Sequence, residues 1–301
     1  MSSCVLFVLA ASCAHGPPPP PLHSTRLQVA RTAAGGFVPY VRATIAGETV
    51  SLLLDTGAVR SFLPGSFAQR HKLPTRESRA SDAQFRDANG NIRTMAALPD
   101  VPVQFEGETT AGTLEFYLNP VNPADEPILA AQDLVRSGGA LIIDLAREEL
   151  RFDASEDAAL ARVRAESGVP LRELDFKRCL LEGFFERAHR IVSTRINGVE
   201  ARMLIDTGAS TTVLSRNNPA LPSMMSVKGD RGRVVAVSSM GQGLLVADVP
   251  ITFAETSFVI PVLVHPVSQT CYEGAIGADV LRQCTIVWAE KSLWAACRPP
   301  A

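Results

Sequence analysis

The triplet Asp-Thr-Gly occurs twice, and each copy closes an apolar run: Leu52-Leu53-Leu54-Asp55-Thr56-Gly57-Ala58 and Met203-Leu204-Ile205-Asp206-Thr207-Gly208-Ala209. The two aspartates stand 151 positions apart, and their surroundings repeat at that offset. Val41 answers to Val192, Ile45-Ala46-Gly47 to Ile196-Asn197-Gly198, and Leu63 to Leu214. An internal repeat constrains the fold more than any local propensity, because both copies must satisfy one pattern of core and turn. Further matches follow in order. Asp100-Val-Pro-Val-Gln-Phe105 parallels Asp248-Val-Pro-Ile-Thr-Phe253, and Leu129-Ala-Ala-Gln-Asp133-Leu134 corresponds to Ala275-Ile-Gly-Ala-Asp279-Val280. One unit spans 27–152 and the other 171–298, joined by a linker over 153–170.

Within each unit the pattern reads as strand. Alternating, β-branched segments begin at Val38 and His189, turn at Gly47 or Gly198, and run into Asp-Thr-Gly. Later comes a glycine-tipped turn between extended segments, at Asn89-Gly90 in the first unit and Met240-Gly241 in the second. Asn-Gly is a strong hairpin signal. The stretch 156–167 differs: it is rich in helix formers, carries a thin stripe of Leu160 and Val163, and ends at Gly168-Val169-Pro170, so a short helix is expected there.

The chain is 46% apolar and 20% charged with a formal net charge of -2, the balance of a globular protein. Lys and Arg are scattered, which argues against a nucleic-acid partner. The first 13 residues read as a secretory leader, with a short apolar run over 5–11, and Ala10-Ala11-Ser12-Cys13 resembles a bacterial lipobox with Cys13 as the lipidated residue. Residues 14–26, with five prolines from Pro17 to Pro21, would then form an extended tether, and the protein would be exported, periplasmic or anchored to a membrane through its lipid. The other cysteines are Cys179, Cys271, Cys284 and Cys297, apart from Cys4 in the leader. A hairpin centred on Glu290-Lys291 would set Cys284 opposite Cys297, within reach of a disulfide, leaving Cys179 to pair with Cys271. Four buried free thiols are the alternative.

These motifs resemble the retropepsin-like and pepsin-like aspartic proteases, bacterial proteins with tandem aspartyl-protease domains among them. The resemblance rests on the apolar run into Asp-Thr-Gly-Ala, the glycine-tipped hairpin at the place of the flap, and the later element Ile276-Gly277-Ala278-Asp279, in which the first unit carries Ala131 for glycine. It implies an all-β fold of two homologous β-barrel lobes, arranged as a pseudo-twofold, bilobal unit with a short helical linker. It also implies that Asp55 and Asp206 form a catalytic pair, that Thr56 and Thr207 lock the two loops together, and that Gly57 and Gly208 offer backbone N–H groups to the carboxylates. Ala58 and Ala209 follow the retropepsin pattern, and Asn89, Gly90, Met240 and Gly241 become candidates for flaps over a peptide or protein substrate. No metal or cofactor is called for.

The chemistry stands without the family. Two carboxyls held face to face cannot both ionise freely, so one keeps its proton while the other acts as base; the aspartic-protease pair is a standard instance of this effect. A water between them is activated by the base while the acid polarises a carbonyl. Two other readings compete. A duplicated fold can bind peptides without cleaving them, and each half can pair with its counterpart in a second chain. Pairing within one chain is favoured because a tether sets an effective concentration of about millimolar, giving a monomer that is an internal pseudo-dimer. The five histidines form no metal-ligand pair, and His189 and His265 read as strand or surface residues.

Overall fold

The computed structural model describes residues 23–32, 36–76, 84–86, 92–108, 112–118, 126–135, 139–180, 188–226, 235–237, 241–265 and 271–300. The leader with Cys13, the tether up to residue 22, and the flap-tip residues Asn89, Gly90 and Met240 lie outside them.

The first lobe contains β1 (His23–Arg31), β2 (Phe37–Ile45), β3 (Glu48–Asp55), β4 (Ser61–Leu63), α1 (Gly65–Arg70), β5 (Gln84–Arg86), β6 (Ile92–Thr94), β7 (Ala97–Phe105), β8 (Gly112–Leu118), β9 (Ile128–Ala130), α2 (Ala131–Leu134), β10 (Ala140–Asp144) and β11 (Glu149–Asp153). Helix α3 (Glu156–Glu166) follows, capped by the Ser155 side chain, which accepts from the Ala158 N–H. The second lobe contains β12 (Arg172–Glu173), β13 (Phe176–Leu180), β14 (Ala188–Ile196), β15 (Val199–Ile205), β16 (Val213–Ser215), α4 (Leu221–Ser226), β17 (Val235–Val237), β18 (Gly241–Phe253), β19 (Thr256–His265), β20 (Gly274–Ile276), α5 (Ala278–Leu281), β21 (Cys284–Ala289) and β22 (Leu293–Cys297). The chain is mostly β, as expected. The short helices α1, α2, α4 and α5 were not legible as helices, since four to six residues carry too little periodicity to register.

The repeat in sequence is a repeat in topology. The order β1-β2-β3-β9-β4-β8-β7 in one lobe is matched by β13-β14-β15-β20-β16-β19-β18 in the other. Each sheet closes on itself, through β2 with β7 (Ile45 opposite Val103) and β14 with β18 (Ile196 opposite Ile251). The turns correspond as well. Ala46 and Gly47 have φ of 51° and 80°, Asn197 and Gly198 of 49° and 79°, the left-handed pair that matches a tight turn to the twist of its strands. In β7 the register slips between Leu98 and Val101, and in β18 between Val246 and Val249. Each slip holds an aspartate at positive φ, Asp100 at 52° and Asp248 at 54°, which bends the strand as a bulge does.

The lobes meet in a shared sheet, β12-β22-β21-β10-β11-β1, in which β10 and β21 pair antiparallel with Leu141 opposite Trp288. One buried apolar cluster therefore runs through both lobes, from Leu27, Leu54 and Ile143 to Ile205, Ile286 and Trp288. Helix α3 lays Ala159, Leu160 and Val163 against Ile142 and Val287 of this sheet. Two disulfides brace the second lobe. Cys284 and Cys297 are opposed in the β21–β22 hairpin with Cα atoms 4.0 Å apart, and Cys179 is joined to Cys271 at 5.8 Å. Among the described residues no helix is long and apolar enough to cross a membrane.

Candidate active site

Both Asp-Thr-Gly loops leave the ends of central strands, β3 and β15, and meet at the junction of the lobes. Parallel partners support them: Asp55 is opposite Ala130 of β9, and the Asp206 N–H donates to the Ile276 carbonyl at 3.0 Å. The threonines interlock. The Thr56 N–H donates to Thr207 Oγ1 at 3.1 Å and the Thr207 N–H to Thr56 Oγ1 at 2.9 Å. Each hydroxyl then donates across the junction, Thr56 to the Ile205 carbonyl at 2.8 Å and Thr207 to the Leu54 carbonyl at 2.6 Å. Both threonines are fully buried, so an unmade bond here would cost the desolvation of its group.

The interlock brings each aspartate against the opposite loop. A methyl group replacing the Gly57 hydrogen would lie 2.6 Å from the Asp206 Cγ, and one on Gly208 would lie 2.7 Å from the Asp55 Cγ. Glycine is required at both positions because the facing carboxylate occupies the space. Each carboxylate also accepts from its own loop, Asp55 from the Ala58 N–H at 2.8 Å and Asp206 from the Ala209 N–H at 3.0 Å, with Gly57 and Gly208 adding backbone bonds of the same kind.

Electrostatics couples the two. Burial raises the pKa of both carboxyls. Asp55 goes well above the usual carboxylate range, through burial first and the neighbouring Asp206 charge second, against the backbone N–H bonds that favour its ionised form. Asp206 is raised by burial as well, against the Ala209 N–H bond first and the bond from Asp55 second. The two titrate as one coupled pair, and its pKa values belong to both.

Behind each loop lies a matching buttress. Ser61 donates to Asp133 Oδ2 through its N–H at 2.8 Å and its hydroxyl at 2.7 Å. Thr212 donates to Asp279 in the same way, at 2.9 and 2.7 Å. The hydroxyls in turn accept from the Ala130 N–H at 3.0 Å and the Gly277 N–H at 3.1 Å. This register amends the alignment of the motif. Gly277 precedes α5 as Ala130, not Ala131, precedes α2. A Cβ on Gly277 would fall 2.5 Å from the Thr211 carbonyl carbon, so the second lobe requires glycine there. Gln132 adds a brace in the first lobe only, donating to the Ala58 carbonyl at 2.9 Å.

Of the hairpins expected as flaps, the described parts are β5 paired with β6, Arg86 opposite Ile92, and β17 paired with β18, Val237 opposite Gly241.

Three residues near the loops were not singled out in the sequence. His189 is in a strand, as read, but it is buried, with its Nδ1 unpartnered and its ring 6.0 Å from Tyr272. Burial lowers its pKa to about 4, against a bond with the Gly57 backbone of the other lobe. Tyr272 is pushed up to about 12 by burial and then by the Asp206 charge. Cys179 stands opposite His189 in the β13–β14 ladder and is bonded to Cys271, the neighbour of Tyr272, so the disulfide fixes this corner. Arg60, two residues past Ala58, is also buried. The available signal was a break in the repeat: 151 positions away His189 faces Val38, and Arg60 faces Thr211.

Residues 41–129 match the family profile described as "gag-polyprotein putative aspartyl protease". No curated protein matches the chain. Solved structures with the same fold include the aspartic proteinase from Irpex lacteus, at 13% identity over 91% of this chain and 97% of that one, with a TM-score of 0.52. Others are Basic 7S globulin from soybean, at 10% over 92% and 95% with a TM-score of 0.55, and conglutin gamma, a basic 7S globulin from lupine seeds, at 12% over 92% and 95% with 0.53. The chain thus resembles the retropepsin-like aspartyl proteases in its first lobe. Over nearly its whole length it has the bilobal, pepsin-like fold.

Proposed function

We propose that this chain is an aspartic endopeptidase whose site is formed within one chain by Asp55 and Asp206. The observation that carries the reading is the mutual approach of the loops, with each glycine pressed on the opposite aspartate and the pKa of both carboxyls raised. With Asp206 as the ionised partner, that carboxylate takes a proton from a water held between the pair as the water attacks the scissile carbonyl. Asp55 gives its proton to the carbonyl oxygen. Collapse of the tetrahedral species returns that proton to Asp55, while Asp206 hands its own to the departing amine. The alanines at 58 and 209 supply no hydroxyl to stabilise an anion, which favours activity in a less acidic range. Two disulfides in the second lobe support an exported setting, since such bonds persist in oxidising compartments.

A second reading is a peptide-binding module that cleaves nothing. It is favoured by the two seed globulins that share the fold, because fold alone does not fix activity. The test is cleavage of a mixed peptide library between pH 3 and pH 8 by the protein starting at Ser24, beside folded Asp55→Asn and Asp206→Asn variants. Cleavage lost in both variants supports the endopeptidase. A folded wild type that binds peptides and cuts none at any pH supports the module.

A further inference from the structure

Arg60 carries a charge that the fold does not answer. The residue is 7% exposed, and its Nε is buried without a hydrogen-bond partner. Among the described residues its guanidinium meets the Tyr117 ring, whose centroid lies 5.2 Å from the guanidinium carbon. The nearby carboxylate of Glu115 is engaged elsewhere, accepting from the Tyr117 hydroxyl at 3.1 Å and from Arg76 at 3.0 Å. A buried donor left without a partner costs about 1–3 kcal/mol, which a ligand that accepts from it would recover.

The location gives the charge a purpose. Arg60 ends the loop that carries Asp55 and leads into β4, whose Phe62 is opposite Tyr117 of β8. Tyr117 packs with Val59, Met95 and Ala97, and Met95 directly follows β6, the returning strand of the first-lobe hairpin at the flap's place. The guanidinium therefore lies over a cluster that joins the residues after the Asp55 loop to the foot of that hairpin. The second lobe has Thr211 at the corresponding position, so the feature belongs to one side of the cleft only.

We infer that Arg60 is a specificity residue, rather than a catalytic one, that receives a carboxylate of the substrate and makes the first-lobe side of the cleft selective for acidic peptides. This rests on the endopeptidase reading for its kinetic form, though not for its binding form. A planar guanidinium backed by an aromatic ring offers paired donors that match a carboxylate and an amide poorly.

The test uses peptides blocked at both ends, with Glu or Asp walked through the positions on either side of the cleaved bond and compared with Gln or Asn. A neutral peptide with a free C-terminus distinguishes a terminal carboxylate from a side chain. At one position on one side, the wild type should favour the acid over its amide at least about tenfold in kcat/KM. In Arg60→Gln that ratio should fall to near one, and in Arg60→Glu it should invert in favour of Lys. The wild-type ratio is informative even where a variant fails to fold. Cleavage without preference at any position overturns the inference and leaves the endopeptidase standing. If nothing is cleaved, the same peptides are titrated by fluorescence anisotropy: acid-selective binding lost in Arg60→Gln upholds the inference, and equal or absent binding overturns it.

Discussion

Thr56 and Thr207, 151 residues apart, hydrogen-bond one another twice, each backbone N–H reaching the other's hydroxyl. Their hydroxyls pass on to Ile205 and Leu54, the residues that precede the two aspartates. The position of each carboxyl is therefore set by the opposite lobe as much as by its own strand.

Replacing either threonine with valine should cost about 1–3 kcal/mol in a chemical unfolding experiment, the usual penalty for a buried bond lost with its partner left behind. The double variant should cost less than the sum of the two, since both act on one network. Strict additivity would show that the lobes hold their registration without this contact. Gly57→Ala and Gly208→Ala should be worse than either threonine change, because a methyl at 2.6 or 2.7 Å from the facing Cγ forces the loops apart.

The carboxyl pair should make stability fall as pH rises. An unfolded aspartate loses its proton near 3.8, whereas folded Asp55 keeps it to well above that value. Between those limits the native state binds the extra proton, so unfolding becomes easier with increasing pH. Asp55→Asn reduces the effect, since Asp206 keeps the rise that burial gives it. The variant's thermal midpoint should match that of the wild type near pH 3 and exceed it at pH 7, a difference that calorimetry across the range will measure.

His189 works with the opposite sign. Its folded pKa is lowered from 6.5 to about 4, so in that window the unfolded chain binds a proton that the native protein refuses. Stability is lost on acidification through the window, with a full effect of about 3 kcal/mol. His189→Val, the residue the first lobe has at Val38, should flatten the acid limb of the stability curve. An unchanged limb would mean that the histidine charges freely in the folded state.

Ala46 has φ of 51° at the turn where Asn197 has 49°. Alanine tolerates the left-handed region poorly and asparagine enters it readily. Ala46→Asn should therefore stabilise the protein by up to about 1 kcal/mol without touching the site.

The sequence carried a large part of this molecule because it carried it twice. The offset joining Asp55 to Asp206 also joins Gly47 to Gly198 and Ser61 to Thr212, and these pairs occupy matching places in two matching sheets. The turn of the β21–β22 hairpin was legible from the apolar residues on its two arms, with Trp288 falling opposite Leu293. The pairing of Asp55 with Asp206 and of Thr56 with Thr207 was expected from the motif; what escaped was which neighbours burial would press against particular residues. The need for glycine at 57 and 208 comes from an atom on the other loop, and nothing local in sequence reports it. Arg60 and His189 look like ordinary strand-flanking residues until burial is known. The one-residue shift that sets Ala130 against Gly277 was hidden because the aspartates after them, Asp133 and Asp279, align so well.

The central claim is one pair of carboxyls per chain, one from each lobe. The measurement is peptide cleavage by Asp55→Asn alone, by Asp206→Asn alone, and by the two mixed in equal amounts, each confirmed folded, beside a wild type assayed over a range of concentrations. The account predicts a wild-type rate strictly proportional to protein, no activity in either variant, and none in the mixture. Activity restored on mixing, or retained by one variant alone, would contradict it.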